Sequence, residues 1–218
     1  MSTFKIMCVN AGSSSLKFKL YERDEGAKNE TTLSGKANHL KALTNGIVER
    51  IGHEDGIFTL KKPGGFKHTE VLPVHNHDEA AKLVLEGLKK FGVIEDIKEI
   101  AGVGNRVVQG GKYFSDSALF DDYAYSKIKE LIPLDPLHAQ AHLTCFDAFK
   151  KALPEAGEVA VFDTSFHQTM EAKEYRYPLP YEYYEKYAVR RYGAHGTSHK
   201  YLSIRAKETY FPKQEHVN

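Results

Sequence analysis

Three side chains stand where an apolar run gives way to a turn, and each is of a type that handles anions. Arg106 lies in Gly104-Asn105-Arg106-Val107-Val108-Gln109-Gly110-Gly111, near the end of a buried-looking strand and ahead of a glycine turn. A guanidinium there can clamp a carboxylate or a phosphate through paired hydrogen bonds, or serve a structural ion pair. Asp163 follows the apolar run Glu158 to Phe162. Open α/β sheets bind ligands at the carboxyl edge of such strands; an aspartate there also commonly caps a helix. His195 is bracketed by Gly193 and Gly196 ahead of Thr197-Ser198-His199. Thr197 reads as the N-cap of a helix whose first N–H groups could meet an anion, and His195 as either a ligand to that anion or a packing residue.

A fourth stretch has the composition of a phosphate cradle. Val9-Asn10-Ala11-Gly12-Ser13-Ser14-Ser15-Leu16-Lys17-Phe18 joins the apolar run Phe4 to Val9 to an alternating run in which Leu16, Phe18 and Leu20 oppose Lys17 and Lys19. Alternation of period two is a half-buried strand, and Asn-Ala-Gly-Ser is turn chemistry, so a β-hairpin with a small-residue tip is predicted. Such a tip lets backbone N–H groups approach a phosphate, and the hydroxyls of Ser13, Ser14 and Ser15 add donors. Lys17 falls on the polar face, and Asn10 carries an oxygen that suits a hydrated Mg²⁺. The spacing is not that of a P-loop, and an ordinary hairpin would have the same alternation.

The elements that would position these groups follow from periodicity. Residues 22–30 read as a charged turn. Thr31–Ala37, Gly46–Ile51, Ile57–Leu60 and Phe66–Val71 read as short strands, with Lys61-Lys62-Pro63-Gly64-Gly65 as a turn. Asn76 or Asp78 caps a helix carrying Ala81, Val84, Leu85, Leu88 and Phe91, stopped at Gly92. Ile100–Val108 is a strand, His138–Leu153 a helix, and Glu158–Phe162 a further strand. Hairpin strands followed by strand–helix alternation describe an α/β domain with a mixed sheet. Seven of the thirteen tyrosines fall between Tyr175 and Tyr192, which marks a junction after residue 170. That cluster reads as aromatic packing or as a subunit interface.

Bulk composition excludes several classes. Thirty basic against twenty-nine acidic residues create no field for nucleic acid or an acidic membrane. No apolar run approaches the ~20 residues of a membrane span. Cys8 and Cys145 sit in apolar runs and read as buried free thiols of a reducing compartment, so cytoplasm is expected.

Taken as strings, four segments resemble the acetate kinases, members of the actin-like phosphotransferase superfamily. They are the Asn10–Lys17 stretch, the Arg106 stretch, Phe162-Asp163-Thr164-Ser165-Phe166-His167-Gln168-Thr169-Met170, and Tyr192-Gly193-Ala194-His195-Gly196-Thr197-Ser198-His199. The resemblance implies an actin-like (ribonuclease H-like) α/β domain with a mixed sheet and flanking helices over residues 1–165. Residues 166–218 would begin a second, nucleotide-binding domain. It implies reversible transfer of a phosphoryl group between ATP/ADP and a short-chain carboxylate, with Mg²⁺ (or Mn²⁺). Asp163 and His195 would be catalytic, and Arg106, Val108, Leu137 and Ala194 would bind the acyl substrate. Lys17, Gly12, Ser13 and Ser14 would meet the nucleotide phosphates and Asn10 the metal. Implied partners are a C-terminal half and a second copy in a homodimer, not nucleic acid or membrane.

Departures from the family strings are informative. Asn105 and Gln109 replace the histidines that usually flank the arginine. Ala139-Gln140 replaces Asn-Pro after His138, and Ala194 replaces a phenylalanine that walls the acyl pocket. A lost phenyl ring should admit propionate or longer acids, since one methylene is worth ~1–3 kcal/mol in such a pocket. Because the resemblance covers only about the first half of the family's chain, two readings stand. One is an acyl kinase needing its other half, inactive by itself; the other is a degenerate, non-catalytic module.

Overall fold

The small-residue turn does close a hairpin in the computed structural model, which describes residues 3–24 and 40–212. Strand β1 (Thr3–Ala11) pairs antiparallel with β2 (Ser15–Asp24), and Asn10 faces Lys17 across the ladder. β3 (Leu40–Glu49), β4 (His53–Lys61) and β5 (Lys67–Val74) continue the antiparallel meander. β6 (Ile100–Val107) then returns to the other side of β1, parallel to it, and β8 (Gly157–Phe162) adds parallel to β6. The two-residue β7 (Ala118–Leu119) closes the far edge, giving the order β5-β4-β3-β2-β1-β6-β8-β7.

Helices α1 (His77–Lys90), α2 (Asp122–Glu130) and α3 (Ala139–Ala152) link these strands. Asn76, not Asp78, caps α1: its side chain accepts from the Glu79 N–H at 2.9 Å. Val84, Leu85 and Leu88 of α1 share one core with Cys145, Ala148 and Phe149 of α3 and with Met7, Val9, Leu16, Phe18 and Leu20 of the sheet. A second core joins Ala124 and Ile128 of α2 and Leu143 and Phe146 of α3 to Val107 and Phe162. All three helices therefore cover one face of the sheet. The other face carries Cys8, Lys17, Gly104, Arg106 and Val161, which line a cavity of about 410 Å³.

Two expectations change, a third falls outside the described residues, and one helix is additional. Cys8 is exposed, because it points away from the helical layer; only Cys145 is buried. Glu22 to Asp24 extend β2 instead of starting a turn. The expected strand Thr31–Ala37 lies outside the described residues. α2 was not anticipated: only Ala124 and Ile128 of its nine residues are buried, too few for an apolar stripe.

Beyond Thr164 the character changes. After short α4 (Ala172–Tyr175) and α5 (Tyr181–Tyr187), α6 (Gly196–Tyr210) ends the described chain. Gly196 is the one buried residue past Thr164 among the described residues, while Tyr201, Leu202 and Tyr210 are exposed. Among the described residues no helix is long and apolar enough to cross a membrane.

Candidate active site

The parallel strands β1, β6 and β8 end at the same edge of the sheet. Between β1 and β6 the chain's direction of growth reverses, which is where open α/β sheets leave a crevice. Register does the rest. Val9 pairs with Asn105, and Arg106 with Val161, so Asn10, Arg106 and Asp163 fall side by side at that edge.

Arg106 is the hub. Its Nε donates to Asp163 Oδ2 at 3.1 Å and Oδ1 at 3.3 Å, and Nη2 donates to Oδ2 at 2.5 Å. Nη1 donates to Asn10 Oδ1 at 3.2 Å. Asp163 is 2% exposed, whereas the arginine side chain is 34% exposed, so the carboxylate is the buried partner and the guanidinium faces the crevice. A guanidinium has five N–H donors. Asp163 and Asn10 use one on each nitrogen, which leaves one on Nη1 and one on Nη2.

His195 is brought in by two close approaches. The Gly196 N–H donates to the Asp163 carbonyl at 2.8 Å. A Cβ at Gly196 would stand 2.1 Å from that oxygen, so only glycine allows the contact. His195 precedes it in the left-handed region at φ 55° and occupies the cap position of α6. Thr197, expected there, instead lies in the first turn and donates its hydroxyl to Asp163 Oδ1 at 3.3 Å. A cavity of about 750 Å³ is lined by Arg106, Asp163, His195, Thr197, Ser198, His199 and Tyr201. The cavity on the open sheet face, which includes Asn10 and Lys17, shares Arg106 and Thr197 with it.

Other expected positions lie apart. Ser13 and Ser14 at the hairpin tip are exposed and line neither cavity, and Gly12 is half-buried. Val108, Leu137 and Ala194 line neither cavity as well. Leu137 is exposed, and the Ala194 carbonyl accepts from His167 Nε2 at 3.0 Å. Val108 is held through its backbone, its N–H donating to His142 Nε2 at 3.2 Å. Burial lowers that imidazole to about 4, with the charge of Asp135 opposing, so it stays a neutral acceptor.

Both departures beside Arg106 have partners. Gln109 Oε1 accepts from the Gly111 N–H at 2.8 Å. Asn105 Nδ2 donates to buried Glu158 Oε2 at 2.5 Å. Burial pushes the Glu158 carboxyl up to about 7, against the Asn105 hydrogen bond and the Lys150 charge. Sequence reasoning missed Thr197 as a partner of Asp163 and Glu158 as a partner of Asn105. Neither contact has a local signal, since each joins residues more than thirty positions apart.

As a magnesium site these donors fall short. Asn10 offers one neutral oxygen that already accepts from a cation. No group of three or more His, Cys, Asp or Glu that could hold a metal exists among the described residues.

The fold is of the actin-like class, which the solved acetate and propionate kinases that it resembles share. Within that class the chain belongs to the acetokinase family, which it matches over residues 5–218. It is 50% identical to the acetate kinase of Bacillus velezensis over 204 residues, covering 94% of this chain and 48% of that protein. Against the acetate kinase of Bacillus subtilis the identity is 49% over the same shares. Among solved structures, Porphyromonas gingivalis acetate kinase superposes with a TM-score of 0.83 at 40% identity, covering 94% of this chain and 48% of that one. A propionate kinase from Francisella tularensis gives 0.84 at 34% identity, covering 99% and 50%. The chain thus spans about half the length of the curated relatives it matches.

Proposed function

We propose that this chain is the acyl-binding half of a carboxylate kinase, which moves a phosphoryl group between ATP/ADP and acetate or a related short-chain acid. The observation that carries the reading is the Arg106 guanidinium. It is fixed by Asp163 and Asn10, it lines the crevice, and one N–H on each terminal nitrogen is left over. A pair of guanidinium donors can match the two oxygens of a carboxylate.

The chemistry asks little of a base. A carboxylate is ionised at pH 7, so attack on the γ-phosphorus needs two anions held in line while charge spreads over the transferring group. Arg106 holds the acceptor. His195, on the wall of the same cavity as Asp163, donates to the equatorial phosphoryl oxygens. Asp163 orients the arginine instead of abstracting a proton, since both its oxygens are already engaged. Lys17 and the tip residues Gly12, Ser13 and Ser14 address the nucleotide phosphates. No step is routed through magnesium, because these residues alone do not make its site.

In this reading residues 1–165 form the acyl domain and residues 166–218 begin the nucleotide-binding one. The near-absence of buried residues past Thr164 supports that division. Val108, Leu137 and Ala194 line the acyl pocket only once the second domain is in place. The protein works in the cytoplasm, as a homodimer with a C-terminal half. A preference for acids longer than acetate is a second reading, favoured by Ala194 and by the similarity to a propionate kinase.

The test traps acyl phosphate with hydroxylamine, using MgATP and acetate. The chain alone should show no turnover, because nothing opposes the crevice to exclude water. Adding the C-terminal half of a Bacillus relative should restore turnover, and Arg106→Lys should abolish most of it. Turnover by the chain alone, or none in any combination, would overturn the proposal; the latter is the result expected of a non-catalytic module.

A further inference from the structure

The hairpin tip is held from beneath by a residue that no motif points to. His77, the first residue of α1, is 7% exposed, and its Nε2–H donates to the Gly12 carbonyl at 2.9 Å. A carbonyl can only accept, so the imidazole carries its proton on Nε2. Two further bonds shape the tip: Gly12 N–H to the Ser15 carbonyl at 2.7 Å, and Ile51 N–H to the Ser14 carbonyl at 3.0 Å. The Ser13 and Ser14 N–H groups donate to nothing among the described residues. Both residues are exposed.

Peptide geometry turns the His77 contact into an aiming device. In a planar trans peptide the Gly12 C=O and the Ser13 N–H point in opposite directions, and the described chain has no cis bonds. Fixing the carbonyl inward on His77 therefore fixes the Ser13 N–H outward. Without the imidazole the Gly12–Ser13 peptide is free to rotate, as a glycine permits, and the donor loses its direction.

We propose that His77 is a positioning residue for the phosphate-binding tip: its imidazole holds the Gly12 carbonyl so that the Ser13 amide faces an incoming polyphosphate. The inference rests on the carboxylate-kinase reading above and adds to it the group that pre-orients the nucleotide side. The ligand class is the terminal phosphates of a nucleoside di- or triphosphate, for which inorganic pyrophosphate is the probe.

Pyrophosphate titrated into the ¹⁵N-labelled chain should shift the Ser13 and Ser14 amide resonances saturably. His77→Phe, which keeps a planar ring without the donor, should weaken that response by about fivefold, the worth of one hydrogen bond. His77→Gln, which keeps an N–H, should recover most of it. In both variants acetate should still shift the Arg106 Nε–H resonance, a readout that general loss of structure would not spare. An unchanged pyrophosphate response in His77→Phe would overturn the inference and leave the proposed function standing. No response in the wild type would remove the hairpin from the phosphate site altogether, and the inference with it. Should His77→Phe fail to fold, the wild-type ring decides: long-range ¹H–¹⁵N correlation should show the neutral imidazole protonated at Nε2, and an Nδ1–H tautomer would overturn the proposal.

Discussion

Replacing Glu158 by glutamine should stabilise the protein, and by an amount that grows with pH. Glu158 on β8 is 6% exposed and accepts from Asn105 on β6 at 2.5 Å. The other oxygens of the pair, Glu158 Oε1 and Asn105 Oδ1, are both buried without a partner. A proton on Oε1 would let the acid donate back to the amide oxygen and satisfy both atoms. From α3 the pair is faced by the Cys145 thiol, which burial pushes up to about 12, and by the charge of Lys150. The folded carboxyl titrates at about 7 instead of 4.5, so the folded state keeps a proton that the unfolded chain has released. Stability is then full below pH 4.5 and is lost as pH rises through 7. At roughly 1.4 kcal/mol per pH unit the loss is about 3 kcal/mol.

His142 conceals this slope in the wild type. Its folded pKa of about 4 lies below the ordinary 6.5, so its contribution is lost as pH falls through that window, the opposite sign. The difference between Glu158→Gln and wild type cancels His142 and isolates Glu158. Urea unfolding followed by far-ultraviolet circular dichroism from pH 4.5 to 8 measures it. The variant should match wild type at pH 4.5 and exceed it by about 3 kcal/mol at pH 8, a midpoint shift on the order of 1 M. A difference that stays constant across that range would refute the reasoning, as would a less stable variant at pH 8.

Other perturbations bear on the site itself. Arg106→Ala leaves the Asp163 carboxylate buried without its cation. It should cost about 2–3 kcal/mol in urea unfolding, below the 3–5 of a fully buried pair because the arginine is one-third exposed. Gly196→Ala places a methyl 2.1 Å from the Asp163 carbonyl. About 1–3 kcal/mol of overpacking should follow, with faster hydrogen exchange at the Gly196 and Thr197 amides. In the reconstituted enzyme, rates with acetate, propionate and butyrate should not fall steeply with chain length, and Ala194→Phe should restore a preference for acetate by about tenfold or more.

Much of this chain could be read locally. Alternation of Leu16, Phe18 and Leu20 with Lys17 and Lys19 announces the hairpin. The apolar runs before Arg106 and Asp163 announce strands, and Asn76 or Asp78 ahead of an apolar stripe announces the start of α1. These signals depend only on neighbouring residues, because side-chain periodicity and capping are settled within a turn or two of chain. Helix α2 escaped because its nine residues bury only Ala124 and Ile128. Cys8 was misplaced because an apolar run does not tell which face of a strand is covered.

The types of the candidate groups were therefore determined by the sequence alone: an arginine and an aspartate at strand ends, a histidine between glycines, a tip of small residues. The convergence of the first three was decided by the tertiary structure. Parallel register at β1–β6 and β6–β8 sets Asn10, Arg106 and Asp163 beside one another, and the bare Cα of Gly196 lets α6 dock on Asp163. Pairing between strands nearly a hundred residues apart has no local signature. It is selected by which faces bury apolar surface together, and that choice exists only once the whole chain has folded.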